Sequence, residues 1–226
     1  MLDLHSLLNA LQNGDSFFPS GGVAFSSGLE SLYADGEVAS VEQLTDFVEG
    51  QLKHRWATCD ACALMAAYRA DGNLARIAAV DATLEAMSLA AELREGSKRA
   101  GASLLKVHAG LGTAGAGDYR VLVAERRAFG HLPVAQGLVW SAVRMTEDAC
   151  RAVSAHTLCI GLIGAALRLG MIGHLDAQKV LLRVRPVLAD LLRLPVADLA
   201  EICAYMPATE IAAMRHEVQD GRLFAN

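Results

Sequence analysis

The sequence predicts an all-α protein, a single-domain bundle of about nine or ten helices spanning residues 1–226. Apolar residues make up 53% of the 226-residue chain and aromatics only 5%, so the core must be built from Ala, Leu and Val, a mixture that suits close-packed helices. Apolar side chains recur at three- and four-residue spacing through most of the chain. No ladder of alternating apolar and polar residues between turn signals emerges.

Leu4, Leu7, Leu8 and Leu11 give a first helix that Asn13-Gly14-Asp15 closes. The stretch from Phe17 to Glu30 follows, and it is the most constrained in the chain. Pro19 fixes one φ, Gly21 and Gly22 permit backbone angles closed to other residues, and Ser20 is placed to cap a following helix. Phe25, Leu29, Leu32 and Tyr33 carry that helix to Ala34-Asp35-Gly36, with Gly28 inside it. Glycine there costs about 1 kcal/mol relative to alanine, so a close contact is expected to offset it.

Ser40-Val41-Glu42-Gln43 has capping-box spacing and starts a helix striped by Leu44, Phe47, Val48 and Leu52. The pattern continues, with a bend expected near Arg55-Trp56, to Asp71-Gly72-Asn73. Leu74–Met87 is an Ala-rich helix, and Ser88 to Leu111 another. Gly112 to Asp118 reads as loop. Tyr119 to Ala128 reads as helix from its flanks, although Val121-Leu122-Val123 alone is also compatible with strand. Pro133 suits a first helical turn. Thr146-Glu147-Asp148 begins a long apolar helix that Gly170 ends. Asp176 is expected to cap the next, and Pro186 to kink or end it. Pro195 and Pro207 bound one short helix, and a last one carries Ile211, Met214 and His216 into a tail at about 214–226.

The formal charge is −5 and the sequence pI is about 5.8. Lys and Arg are scattered, so the basic stripe of a nucleic-acid binder is missing. The start of the chain has no export signal, which predicts a cytoplasmic location. The apolar window Cys159 to Gly173 falls short of the roughly 20 residues of a membrane span, so neither nucleic acid nor membrane is an expected partner. Five cysteines argue against a disulfide framework.

Chemical motifs are sparse. Gly110-Leu111-Gly112-Thr113-Ala114-Gly115 has the letters of a dinucleotide fingerprint, but a helix precedes it where a strand is required. Cys59 and Cys62 form a C-x-x-C with His54 upstream, a set able to hold a soft metal. The second ligand pair that makes such a site specific is absent, and buried free thiols are the commoner case. No nucleophile elbow or His-Glu-x-x-His occurs. The seven histidines are dispersed. His131 and His216 stand out beside a helix boundary and a tail. That tail, with Arg222-Leu223-Phe224, is either an ordinary frayed end or a segment that orders on a partner.

The turn Pro19-Ser20-Gly21-Gly22, Phe25, and Ser26-Ser27-Gly28-Leu29-Glu30 resemble the urease accessory protein F (UreF) family. So do four further stretches in the same order: Leu93 to Gly101, His131-Leu132-Pro133-Val134, Ala166-Leu167-Arg168-Leu169-Gly170, and Met214-Arg215-His216-Glu217 through Phe224. The chain departs where Met171-Ile172-Gly173-His174 replaces a Pro-Leu-Gly-Gln-like turn, and where Ala225-Asn226 replaces an Arg-Ser ending. The latter removes a cation from a segment used in docking.

The resemblance implies a dimeric, non-catalytic factor that joins accessory protein D (or H) to the GTPase accessory protein G and helps load nickel into apo-urease. Nickel and GTP would be handled by partners, with no cofactor or metal on this chain. It also implies partner-binding roles for Pro19, Ser20, Gly21, Gly22, Ser26, Gly28, Glu30, His131, Arg168, His216, Glu217, Arg222, Leu223 and Phe224. The rival expectations are a stand-alone nickel metallochaperone using His54, Cys59 and Cys62, and an unrelated all-α enzyme.

Overall fold

The computed structural model describes residues 3–19, 25–219 and 222–224, and among them every regular element is helical. The elements are α1 (Leu4–Gly14), α2 (Leu29–Ala34), α3 (Val41–Gln51), a π-helical stretch (Leu52–Asp60) and α4 (Ala61–Tyr68). They continue with α5 (Leu74–Met87), α6 (Ala91–Gly110), α7 (Ala116–Ala124), α8 (Leu132–Ala142), α9 (Glu147–Arg168), α10 (His174–Arg193), a 3₁₀ turn (Leu199–Glu201) and α11 (Pro207–His216). Because α3, the π stretch and α4 form one continuous rod, the helical segments among the described residues number ten, within the nine or ten that the sequence predicts.

Local chemistry sets most boundaries. Ser40 and Gln43 complete the capping box of α3 in both directions, and Asn73 and Thr146 cap α5 and α9 by accepting from Arg76 N and Ala149 N. Gly170, at φ 70°, ends α9.

Other boundaries differ from expectation. The helix after the Pro/Gly turn begins only at Leu29, with Gly28 before it at φ 82°. Gly28 is therefore the start signal and not an interior residue, and its conformation favours glycine. Ser20, expected to cap that helix, lies outside the described residues. Asp176 lies in the first turn of α10 while Gly173 takes the cap position. Pro186 stays inside α10, which runs on to Arg193, and the segment between Pro195 and Pro207 condenses to a single 3₁₀ turn. α7 begins at Ala116, inside the glycine-rich loop, because Gly115 at φ 76° turns the chain into it. The expected bend near Arg55 is a widening of the helix into π geometry.

That widening has partners. The carbonyls of Thr58 and His54 accept from Cys203 N at 3.0 Å and Tyr205 N at 3.2 Å, so the strand-like segment before α11 is strapped along the π stretch. Two apolar clusters meet at α9. One surrounds α8, with Leu64, Met65, Ile77, Leu105, Tyr119, Leu138 and Trp140 buried together. The other gathers Leu29, Leu44, Val48, Leu52, Cys159, Leu162 and Val180. Every residue of α8 from Pro133 to Trp140 is buried. Gly137 lets it lie directly on α4, since a Cβ there would overlap the Leu64 carbonyl. A polar chain ties the two clusters: Trp56 Nε1 donates to Ser154 Oγ at 3.2 Å, and Ser154 donates to Gln136 Oε1 at 3.1 Å. α9 has 22 residues and is apolar enough over an 18-residue window to cross a membrane, at mean hydropathy 1.5, yet 56% of that window is buried in the fold. The shorter window read from the sequence understated its apolar length.

Candidate functional site

Seven residues marked by the sequence converge where the two ends of the chain meet. α2 carries Glu30 in its first turn, and α11 ends on His216. His216 is fully buried. Its Nε2 lies 2.8 Å from Glu30 Oε2 and its Nδ1 2.7 Å from Glu92 Oε1, on α6. Both ring nitrogens of His216 therefore face a carboxylate oxygen. Glu30 also accepts from the backbone N–H groups of Leu223 at 2.8 Å and Phe224 at 3.1 Å. Arg222 reaches Glu92 at 3.4 Å. Arg168, at the end of α9, stands over the Phe224 ring at 4.7 Å, and Phe224 is buried beneath it. One carboxylate thus gathers the tail, and a second holds the other ring nitrogen of the histidine that anchors it.

Gly28 makes this junction close. A Cβ there would come within 2.9 Å of the Thr209 carbonyl oxygen, so α2 sits on the first turn of α11. The close contact anticipated for Gly28 is with backbone. Gln51 adds a buried bond to Thr209 Oγ1 at 3.1 Å. Ser26 is buried at the same turn, while Pro19 and Glu217 are exposed. Leu223 is 61% exposed beside the buried Phe224. Ser20, Gly21 and Gly22 lie outside the described residues.

His131 belongs to a different node. It is fully buried at the cap position of α8. Asp81, on α5, accepts from Tyr119 Oη at 2.7 Å and from the backbone N–H groups of Phe129, Gly130 and His131 at 2.8, 2.6 and 3.1 Å. His131 Nε2 lies 2.8 Å from Glu85 Oε2. Burial holds the His131 pKa below its usual value against the pull of Asp81 and Glu85. Burial works against Glu85 ionising, yet His131 and Lys98 hold its carboxyl below the usual range. Gly101 lets α6 pass directly under this turn, since a Cβ there would overlap the Gly130 carbonyl. His131 is a positioning element for α8 in this fold.

Asp81 carries no signal in the sequence beyond being one of two acids in an Ala-rich run. Two more groups stayed silent there. Arg55 and Asp60 pair at 3.6 Å on the π stretch. Burial pushes the Asp60 carboxyl up while Arg55 pulls it down. Asn13, His108 and Trp140 share a buried network in which His108 Nε2 and Trp140 Nε1 both meet Asn13 Oδ1, at 3.0 and 2.9 Å. A cavity of about 320 Å³ runs between these groups and the tail junction, with Arg55, Asp60, Glu92 and Arg168 among its walls. Asp60 Oδ1 and Glu92 Oε2 are buried without a hydrogen-bond partner among the described residues.

The C-x-x-C lies in the core. Cys59 and Cys62 are both buried. Burial pushes the Cys59 thiol up to about 12 and raises Cys62 as well, which opposes the thiolate a metal needs. Among the described residues no group of three or more His, Cys, Asp or Glu side chains is placed to hold a metal ion. What the junction offers is a surface: buried ionic anchors beneath an exposed leucine and arginine.

The UreF family profile matches residues 38–185. A urease accessory protein UreF from Trichodesmium erythraeum (strain IMS101) is 31% identical over 232 residues, covering 99% of this chain and 98% of its own. Another from Haemophilus influenzae (strain PittGG) is 31% identical over 228 residues, with 99% and 96% covered. One from Actinobacillus pleuropneumoniae is 29% identical over 219 residues, with 93% and 94% covered. With a family model matching residues 38–185 and relatives about 30% identical along nearly its whole length, this chain belongs to the UreF family of urease accessory proteins.

Proposed function

We propose that this protein is a non-catalytic scaffold that bridges the D/H accessory protein and the GTPase accessory protein G, so that nickel is delivered to apo-urease while the GTPase hydrolyses GTP. It acts in the cytoplasm as a homodimer, carries no cofactor of its own, and regulates the partner GTPase without turning over substrate. The observation that carries this reading is the junction of Glu30, His216 and the 222–224 tail. It fixes Arg222 and Leu223 at the surface, beside Arg168, on a chain whose relatives are urease accessory proteins. A pre-ordered tail presents a docking surface at lower entropic cost than a frayed one.

The test is light scattering after size-exclusion chromatography of the chain alone and with its D/H and G partners. Full-length protein is expected to form a stable complex, and a chain ending after Ala213 to lose it. That truncation also removes His216 from the Glu30 and Glu92 carboxylates, so Leu223→Ser is the cleaner variant: Leu223 is 61% exposed, and the exchange removes its apolar surface without adding a charge beside Glu30. Complex formation indifferent to both changes would show that docking lies elsewhere. The stand-alone nickel chaperone is disfavoured by the buried, proton-holding thiols of Cys59 and Cys62.

A further inference from the structure

Arg151, on α9, is a buried cation with no ion-pair partner among the described residues. It is 9% exposed. Its Nη2 donates to the carbonyls of Leu191 at 3.1 Å and Leu194 at 2.9 Å, at the end of α10, where a cation suits the helix terminus. Its Nε is buried with no acceptor, and among the described residues it forms no ion pair. Glu147 feels its charge but is committed to Arg69, which holds it with two bonds of 3.0 and 2.6 Å. A buried charge with unmet donors is costly unless a counter-charge is supplied.

Space for one lies alongside. A second cavity, of about 350 Å³, opens between the π stretch, Arg151, the end of α10 and the segment that straps the π stretch. Thr58, on its wall, has a buried hydroxyl that also lacks a partner. Trp56, Leu191, Pro195 and Val196 make the cavity largely apolar. Lys53 stands at the rim but is paired with Glu49 at 2.7 Å, and Glu201 sits there too. A single negative head with a short apolar body fits such a lining better than a strongly hydrated polyanion.

We propose that this cavity binds a short-chain aliphatic carboxylate, its head accepting from Arg151 and the Thr58 hydroxyl and its alkyl chain lying against Trp56, Leu191 and Val196. The site is separate from the tail junction and needs no partner protein, so its test is independent of the scaffold role.

Isothermal titration of the full-length chain with sodium butyrate tests it, with butyramide as the uncharged isostere and sodium chloride at matched ionic strength. Saturable binding is expected for butyrate alone. Arg151→Met, which keeps the volume and removes the charge, should weaken it by about tenfold or more, and Thr58→Val by about threefold to tenfold. Thr58→Val removes an unsatisfied buried hydroxyl and leaves the α10 contacts of Arg151 in place. It therefore decides the matter if Arg151→Met fails to fold. Butyrate heats no larger than those of butyramide, or unchanged binding in Thr58→Val, overturn the proposal.

Discussion

His216 and Glu30, 186 positions apart, meet at 2.8 Å and close the chain upon itself. Glu30 serves three donors at once: the imidazole and the backbone N–H groups of Leu223 and Phe224. Glu30→Ala strips all three of their acceptor, at a cost of about 1–3 kcal/mol because the site is partly open to water. Hydrogen exchange is the direct measurement. The amides of Leu223 and Phe224 should lose protection in the variant while those of α8 keep theirs. Equal protection in both proteins would mean that the tail is held by Phe224 packing alone.

Asp81 should be the most sensitive single position in the first core. Its carboxylate is fully buried and takes four hydrogen bonds, three of them from the backbone turn that launches α8. Asp81→Ala leaves those three N–H groups and the Tyr119 hydroxyl without an acceptor, and a loss of about 3–5 kcal/mol is expected. Urea unfolding reports it as a lower midpoint. Tyr119→Phe, which removes only one donor, should cost much less. If the two variants were equally destabilised, the turn would not depend on Asp81.

His108 gives the fold a defined sensitivity to acid. Burial lowers its pKa from 6.5 to about 4. Nε2 faces the Asn13 carbonyl oxygen and Nδ1 faces Thr113 Oγ1 at 2.9 Å, contacts that the neutral ring satisfies. The unfolded chain takes up a proton near pH 6.5 and the folded chain only near 4. The stability this group contributes is therefore complete above 6.5, falls as pH drops through that window, and stops falling below it. The total is about 3 kcal/mol. His108→Gln should lower stability at pH 7 yet flatten the decline between pH 6.5 and 4 relative to the parent. Parallel declines would place the acid sensitivity in other groups.

Much of this fold was legible because its signals are local. Ser40 with Gln43, Asn73, Thr146 and Pro133 each act within one turn, so spacing alone places α3, α5, α9 and α8. Gly28 was misplaced by one such rule. Phe25 has helical spacing to Leu29, and only the positive φ of Gly28 and its approach to Thr209 show that the helix starts later. The π stretch was legible only as a bend near Arg55 and Trp56, for the opposite reason. Its carbonyls are captured by Cys203 and Tyr205, partners almost 150 residues away that no local pattern reveals. The tail junction was half legible: resemblance marked Glu30, His216 and Phe224, while Glu92 and the way the four interlock came only with tertiary structure. Asp81, Arg55 and Arg151 were silent, since a charged residue in a helix reads as solvated until its burial is known.

The cysteines allow a last test that also bears on the C-x-x-C. Burial pushes the thiols of Cys59, Cys150 and Cys159 up to about 12 and raises Cys62, whereas Cys203 is exposed. Thiolate is the reactive form, so at pH 8 the four buried groups are almost wholly protonated as well as shielded. Native protein should release one fast equivalent with a disulfide reagent and five equivalents in denaturant, matching the five cysteines. Cys203→Ser should abolish the fast phase and leave unfolding unchanged. Rapid native reaction at Cys59 or Cys62 would show that the π stretch opens readily enough to expose a thiolate pair, and would return metal binding there to consideration. Slow reaction, at a rate that follows global unfolding, would identify both as core residues whose sulfur is there to fill space.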